Sequence, residues 1–406
     1  MKTNLVLLVA ITIFLFSCEK ENTATQNNIS SEPKNEVSEY KIASFNCSFN
    51  RKSEGALLSD LSKSDNLQAQ HIAEIIQRVR PDVLTLMEFD FYAENKALEL
   101  FQKNYLSISQ NGVSPIDYPY YWAVPANTGM PSGTDLNNNG KTDDAADCFG
   151  FGTYKGQYAF AIFSKFPIKK EQVRSFQKFL WKDMPNANFP IIPSTKKPYY
   201  SQEAMNVIRL SSKNHIDVPI AFPNKKEIHL LVSHPTPPVF DGDEDRNGMR
   251  NHDEIRLFAD YITSGKEASY IYDDKGEKGG IAANTHFVIM GDLNADPIDG
   301  GSYQSAIKQL LNNEKVNQEV AWGKFIPMSK GSTENSQKER FKNHKGNPNT
   351  DTSAWGLRVD YALPSANLKV KNTGVFWVDS KDSLNYLIND TKTSSDHRLV
   401  WLTIED

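Results

Sequence analysis

The chain has 406 residues, of which 39% are hydrophobic and 23% are charged, and its formal net charge is -5. This length allows one large domain or two ordinary ones, and the composition is typical of a soluble globular core with generous loops. The negative charge argues against a protein that holds long nucleic acids on a basic surface, because phosphate neutralisation supplies most of that affinity.

The first residues predict export from the cytoplasm. Lys2 precedes an apolar run from residue 5 to residue 16, and the string LFSC ends at Cys18. A basic start followed by a short apolar run is typical of a secretory signal and is too short to span a bilayer. Because LFSC resembles a bacterial lipobox, we predict a lipoprotein signal peptide at 1–17 and lipidation of Cys18. An ordinary signal peptide with an incidental Cys is the alternative.

A polar segment separates this signal from the rest of the chain. Residues 19–39 contain one Ile, one Val and no aromatic residue, so they cannot bury enough surface to offset the entropy of ordering. We therefore predict a disordered tether at 18–39 and one domain at 40–406, since no second linker divides the remainder. The expected location is the bacterial cell envelope, with a lipid anchor in the outer membrane and the domain facing the periplasm or the surface.

Short apolar runs of this domain predict β-strands, and most of them end at a polar side chain. The runs are KIASFN, DVLTLME, QYAFAIFS, IHLLVSH, HFVIMGDLN, RVDYALP and HRLVWLTI. The side chains at or beside their ends are Asn46, Glu88, His234, Asp292, Asn294, Asp360, Asp396 and His397. Such repetition suggests that residues distant in sequence converge on one rim of a sheet.

Amphipathic patterns predict three helices between these strands. The first covers about 67–80 and stops before Pro81, where a helix cannot continue. The second covers about 253–262, and the third covers about 302–311, after the Gly300-Gly301 break.

Six motifs, in order, are FN at Asn46, ME at Glu88, SHPTPP at His234, GDLN from Gly291, RVDY at Asp360 and SSDH at His397. In this order the chain resembles the endonuclease/exonuclease/phosphatase superfamily over nearly the whole domain. The resemblance implies an α+β fold of the deoxyribonuclease-I type, a four-layer α/β/β/α sandwich with two packed, mostly antiparallel sheets flanked by helices. Because it has His234, the chain is more similar to the deoxyribonuclease, sphingomyelinase and inositol-polyphosphate phosphatase branches than to the abasic-site repair branch.

The resemblance also implies roles for the strand-end residues. Attack of water on a phosphate ester needs an aligned nucleophile, a charge clamp and help for the leaving oxygen. The metal ligands would be Asn46, Glu88 and Asp396, because Mg²⁺ (or Mn²⁺) prefers oxygen ligands. The catalytic residues would be His397 as a base paired with Asp360, Asp292 and Asn294 as orienting groups, and His234 as a donor to the phosphoryl or leaving oxygen.

Two acidic loops resemble the opening of a calcium site, with oxygen ligands at alternate positions and then a Gly. The first is a candidate structural Ca²⁺ loop with Asp135, Asn137, Asn139, Asp143 and Asp147. The second, at 243–254, has Glu254 at its twelfth position. Turns rich in Asn, Asp and Gly are the alternative for both loops.

Several other residues stay open at this point. Lys155, Lys182 and Lys213 are candidate phosphate contacts, although most Lys side chains are solvated surface. Tyr158 and Trp181 could stack on a ring or simply belong to the core. For Cys47 and Cys148, export permits a disulfide, and two unpaired buried thiols are an equal alternative.

We therefore predict an exported, metal-dependent phosphoesterase whose substrate is a phosphate ester. The acidic charge favours a phosphatase or phosphodiesterase that acts on small substrates. An extracellular endonuclease with DNA or RNA as its partner is the alternative, and a catalytically inert surface binding protein is a further one. We expect a monomer whose only membrane contact is its lipid anchor.

Overall fold

In the computed structural model, the described residues are 38–405, apart from the side chain at residue 224. The predicted signal peptide, the Cys18 lipidation site and residues 18–37 of the predicted tether lie outside the described residues. Within 38–405, no helix has the length and apolar character needed to cross a membrane.

Within these residues, the apolar runs form eleven strands. They are β1 Glu39–Phe49, β2 Val83–Phe89, β3 Tyr120–Val124, β4 Phe160–Ser164, β5 Arg174–Ser175, β6 His215–Ala221, β7 Glu227–Ser233, β8 Phe287–Asp292, β9 Asp360–Pro364, β10 Lys369–Val375 and β11 Val400–Glu405. Each of the seven predicted runs overlaps one of them. Strands β3, β5, β6 and β10 were not predicted, and Pro219 within β6 weakens its strand signal.

The strands form two sheets. One has six strands in the order β10-β11-β1-β2-β4-β3, and the other has five in the order β5-β6-β7-β8-β9. Only the β1–β2 and β7–β8 neighbours run in parallel, and all other neighbouring pairs in the two sheets are antiparallel. The prediction of mostly antiparallel sheets is confirmed.

Alternating side chains of the five-stranded sheet serve two different cores. Leu230 and Met290 belong to the buried cluster that also holds Phe45 and Leu86 of the six-stranded sheet. Their neighbours in sequence, such as Leu231 and Ile289, belong to a second cluster with the long helix described below. Because successive strand residues point to opposite faces, the sheets pack on each other and helices cover them. This is the predicted α/β/β/α sandwich.

The helices are α1 Ala56–Leu61, α2 Leu67–Val79, α3 Lys96–Phe101, α4 Gln202–Val207, α5 Arg246–Thr263, α6 Lys308–Leu311, α7 Gln318–Ala321 and α8 Lys330–Asn335. Helix α2 agrees with its prediction. Helix α5 begins at Arg246, earlier than predicted, because the Asp241 carboxylate accepts the Asn247 N–H and so caps an otherwise polar first turn. The third predicted helix is broken, since Gln304 has a φ of 49°.

Both cysteines of the domain are buried free thiols. Cys47 donates to the Met87 carbonyl at 3.3 Å. Of the two alternatives, the structure therefore has the unpaired one.

Candidate active site

Sheet topology explains why the strand-end residues meet. Because β1 and β2 run in parallel, Asn46 and Glu88 lie at the same edge of the six-stranded sheet. Asp292, the last residue of β8, pairs in register with Asp360, the first residue of β9. His397 precedes β11, whose start lies opposite the later part of β1.

These residues open onto one pocket of about 680 Å³. Five of the eight predicted residues line it, namely Glu88, Asp292, Asn294, Asp396 and His397. The other three, Asn46, His234 and Asp360, are buried behind that surface and contact Asp292 or His397. The structure therefore brings all eight predicted catalytic and metal residues together.

The Asp292 carboxylate lies at the centre of the group. Its Oδ2 accepts a hydrogen bond from Asn46 Nδ2 at 3.1 Å and faces the Nε2 atoms of His234 at 3.4 Å and His397 at 3.5 Å. Its Oδ1 accepts the Asn294 N–H at 3.0 Å. Burial raises the pKa of Asp292, but the two imidazoles outweigh burial and hold it well below its usual range. Asp292 is therefore a fixed negative charge between two histidines.

His397 is held by a second carboxylate. Its Nδ1 lies 2.9 Å from Asp360 Oδ2, which also accepts a hydrogen bond from the Thr352 hydroxyl at 2.8 Å. Burial lowers the pKa of His397, but Asp360 and Asp292 more than offset this and raise it above its usual value. The Asp360 contact orients the ring and leaves Nε2 toward the pocket, as a general base requires.

The two histidines differ in their preferred charge. Burial and the nearby Lys213 cation lower the pKa of His234, whereas neighbouring carboxylates raise that of His397. The Nδ1 atom of His234 has no hydrogen-bonding partner among the described residues. Environments that shift the pKa values of two titratable groups in opposite directions favour different proton-handling roles for the two groups.

The predicted metal ligands Glu88 and Asp396 are the more exposed carboxylates of this group. Glu88 and Asp396 are partly exposed, and each is steadied by one contact, from Asn50 Nδ2 to Glu88 Oε2 at 2.5 Å and from the Ser48 hydroxyl to Asp396 Oδ1 at 3.1 Å. No Lys or Arg is among the described residues that line the pocket. Uncompensated carboxylates beside the Asn46 amide therefore fit a hard divalent cation such as Mg²⁺.

A second group of potential ligands is Asp292, Asp360 and His397, whose ligand atoms lie within 4.8 Å of one another. Both ring nitrogens of His397 already face carboxylates in this group. We therefore interpret it as the proton-handling part of the site and keep Asn46, Glu88 and Asp396 as the predicted metal ligands.

In the first acidic loop, the Asp135 carboxylate accepts the N–H groups of Asn137, Asn139 and Gly140. The Asn137 and Asn139 side-chain amides donate to Asp144. Asp143 is exposed, and Asp147 accepts the Leu136 N–H at 2.9 Å. Calcium binding by Asp135, Asn137, Asn139, Asp143 and Asp147 stays a prediction.

The calcium interpretation of the second loop is wrong. Helix α5 begins at Arg246, so residues 246–254 cannot fold as a calcium loop. Glu254 points into the protein, where its two carboxylate oxygens accept the N–H groups of Ser212 and Thr236, both at 2.6 Å.

The three candidate phosphate contacts lie in two different environments. Lys155 and Lys182 are exposed and do not line the pocket. Lys213 is buried, and its amine donates to the Pro235 carbonyl at 3.4 Å, the same carbonyl that accepts from Asn294 at 3.1 Å. Trp181 belongs to the core, where its Nε1 donates to Asp253 at 2.7 Å. Tyr158 is half-buried. Burial raises the pKa of Tyr158, and the nearby Glu88 carboxylate raises it further.

Sequence reasoning did not identify four residues that support the site. Ser48 and Asn50 contact the metal-side carboxylates, and Thr352 holds Asp360. Trp355 packs edge-on against His397 with ring centroids 4.9 Å apart. Strand alternation could not have identified Ser48 and Asn50, because Ser48 has a φ of 51° and the β1–β2 register shifts between Asn46 and Phe49.

Comparisons with known proteins give one family and several solved structures that are similar to this chain. The model of the Endonuclease/Exonuclease/phosphatase family matches residues 43–397. No curated protein sequence matches the chain. Similar solved structures include an endonuclease/exonuclease/phosphatase from Beutenbergia cavernae (14% identity, 90% of this chain and 71% of that chain, TM-score 0.47). Another is beta toxin from Staphylococcus aureus with bound magnesium ions (14% identity, 90% and 99%, TM-score 0.42). A third is D. rerio TDP2 with a single-strand DNA product (13% identity, 90% and 99%, TM-score 0.40).

Proposed function

Because the chain belongs to the Endonuclease/Exonuclease/phosphatase family, we propose that it is a divalent-metal-dependent phosphoesterase. The family's name itself covers three kinds of phosphate-ester hydrolase. One observation carries the proposal: His397, which is paired with Asp360, lines the same pocket as Glu88 and Asp396. A base and a set of oxygen ligands around one cavity match the needs of hydrolysis at phosphorus.

In this proposal, His397 Nε2 accepts the proton of the attacking water while Asp360 stabilises the imidazolium that forms. Asp292 and Asn294 orient the water and a phosphate oxygen. His234 stays neutral and donates a hydrogen bond to the phosphoryl or leaving oxygen, because burial and Lys213 disfavour its charged form. The bond from phosphorus to the ester oxygen breaks, and the products are a phosphate with one ester bond fewer and an alcohol.

Glu88 and Asp396 would hold Mg²⁺, or Mn²⁺, on the open side of the pocket, and Asn46, which is buried behind them, would complete the set. When bound, this cation neutralises negative charge on the nonbridging phosphate oxygens. Chelation tests this part of the proposal. We expect EDTA to abolish turnover of bis-p-nitrophenyl phosphate and added Mg²⁺ to restore it. Turnover that is indifferent to EDTA would contradict a metal-dependent mechanism.

Small phosphate esters are the preferred substrates of this proposal, because the chain is acidic and the pocket lacks Lys and Arg among its described lining residues. An endonuclease is the second candidate. Parallel assays on duplex DNA, RNA, bis-p-nitrophenyl phosphate and several phosphomonoesters distinguish the two. A wide margin for DNA would reverse the preference, and no turnover of any substrate would favour an inert binding protein.

The setting is also a proposal: export and anchoring through Cys18, with the domain working as a monomer outside the cytoplasm. It is supported by the signal-like first residues and the LFSC string. Metabolic labelling with a fatty-acid analogue tests it, with Cys18→Ala as the matched variant. Equal labelling of both proteins would contradict lipidation at Cys18.

A further inference from the structure

The pocket is lined by exposed apolar side chains as well as by acidic ones. Val239 and Phe240 line it, and Phe240 is 88% exposed with a φ of 66°. Trp355, which is 36% exposed, and Leu357 line it too. Large apolar side chains that stay exposed around a cleft are typical of a surface that binds an apolar group.

The charge of the same pocket limits how many phosphate groups the substrate can carry beside its apolar group. Five carboxylate residues line it, namely Glu88, Asp292, Asp296, Asp299 and Asp396. No described lining residue is Lys or Arg, the side chains that usually hold a second or third phosphate group. One divalent cation cancels only two of the five negative charges. A substrate with several phosphates is therefore repelled, and a phosphodiester with a single negative charge is repelled less than a dianionic monoester.

We propose that the pocket selects phosphodiesters that carry one phosphate and an apolar or aromatic substituent, and that Phe240 and Trp355 determine this specificity. The inference rests on the proposed phosphoesterase function and narrows its substrate class. In this proposal, the substituent on the ester oxygen whose bond to phosphorus is kept packs against Phe240 and Trp355. Trp355 also packs on His397, so a substituent against its ring is close to the reacting phosphorus.

The magnitude of the preference follows from buried area. A phenyl group that is partly covered by Phe240 and Trp355 loses enough water-exposed apolar surface to favour binding by about tenfold over a methyl group. Truncation of Phe240 removes one of the two aromatic side chains that cover the phenyl group. The preference for phenyl over methyl should therefore lose about half of its free energy and fall to about threefold.

The test compares substrates with the same leaving group, p-nitrophenolate. Phenyl p-nitrophenyl phosphate and methyl p-nitrophenyl phosphate are assayed at saturating Mg²⁺, and p-nitrophenyl phosphate serves as the dianionic monoester. We expect kcat/KM to be about tenfold higher for the phenyl than for the methyl diester, and lowest for the monoester. In Phe240→Ser the phenyl-to-methyl ratio should fall to about three.

Phe151→Ser is the matched control, because Phe151 is also exposed, at 61%, but does not line the pocket. This variant should keep the wild-type ratio. A wild-type ratio near one, a Phe240→Ser ratio equal to wild type, or an equal loss in Phe151→Ser would each overturn the inference. These outcomes all require turnover of the methyl diester. If only the monoester is hydrolysed, the inference is overturned and the phosphoesterase function stands. If none of the three substrates is hydrolysed at any Mg²⁺ concentration, the phosphoesterase function itself is wrong.

Discussion

The two sides of the candidate site are built differently. On the histidine side, Asp292, Asp360 and His397 are almost fully buried, and each makes contacts of 3.5 Å or less with another member. On the metal side, Glu88 and Asp396 are partly exposed and have one side-chain contact each. The site therefore has a buried half and a more open half.

This difference matches the demands of the two halves. A base must keep one ring orientation throughout catalysis, and a buried carboxylate that bonds its other nitrogen provides it. A Mg²⁺ site must admit a hydrated ion and leave several of its waters in place, which an open rim permits. The comparison implies that each half can be disabled while the other keeps its function.

The largest expected effect comes from the buried half. His397→Gln removes the proton acceptor, so kcat should fall by about 10⁴-fold. The side chain remains polar and similar in reach, so the fold should survive. The measurement is kcat for bis-p-nitrophenyl phosphate at saturating Mg²⁺, together with near-ultraviolet circular dichroism.

The same variant tests the independence of the two halves. Mn²⁺ binding, followed by electron paramagnetic resonance, should remain within about twofold of wild type, since a loss of one kilocalorie or more would change the affinity by more than that. A near-normal kcat would remove His397 from the base role. A large loss of Mn²⁺ affinity would show instead that the halves act as one unit.

Asp360→Asn should have the next largest effect, a fall in kcat of about 10³-fold, because the amide no longer fixes the productive ring tautomer. The pH profile should change as well. His397 must be neutral to accept a proton, so kcat/KM rises with pH through its pKa. Asp360 raises the pKa of His397; hence its neutralisation should move the acid limb to lower pH. A limb that stays in place, or moves to higher pH, would contradict this assignment.

On the open half, Glu88→Gln should leave the base intact but weaken the cation site. We expect the Mg²⁺ concentration for half-maximal activity to rise by about 100-fold, because an anionic ligand becomes a neutral one. Excess Mg²⁺ should restore a large part of kcat. Asp299→Asn is the matched control, since Asp299 lines the pocket but accepts the Lys345 and Gly346 N–H groups. Equal Mg²⁺ requirements in wild type and Glu88→Gln would exclude Glu88 as a ligand.

Much of this site could be predicted from the sequence because strand ends combine two readable signals. An apolar run such as VIMGD predicts β8 on its own, and the run ends at Asp292, the last residue of that strand. All eight residues at such ends meet at one pocket. The layers of the sandwich were expected from the resemblance to the superfamily, and each predicted run overlaps a strand of one of the two sheets.

Other features could not be predicted, because they depend on contacts between distant residues. Trp355 reaches His397 only after the 352–357 turn has folded over the site, and no local pattern places it there. Helix α5 was predicted too short, since its first turn is polar and its capping partner Asp241 lies before it in a loop. Glu254 has the sequence position of a calcium ligand, but it lies in that helix and points into the core, where it accepts the Ser212 N–H.

The smallest expected effect falls between the two halves, at Lys213. This side chain is only 7% exposed and does not line the pocket, so it acts on the reaction through its neighbours. Its amine shares the Pro235 carbonyl with Asn294, and its charge lowers the pKa of His234. Lys213→Met keeps the apolar stem but removes both influences.

We expect kcat/KM of Lys213→Met to fall by about tenfold, the effect of one nearby charge at a partly screened distance. The effect should be largest at low pH, because His234 without the neighbouring cation takes up a proton more readily and its neutral form becomes scarcer. Lys182→Met, which changes an exposed Lys outside the pocket, should match wild type at every pH. If Lys213→Met also matched wild type at every pH, Lys213 would belong to the core alone. If Lys213→Met instead raised the Mg²⁺ requirement as Glu88→Gln does, the buried Lys213 amine would be supporting the metal-binding half. The two halves would then not be divided as described here.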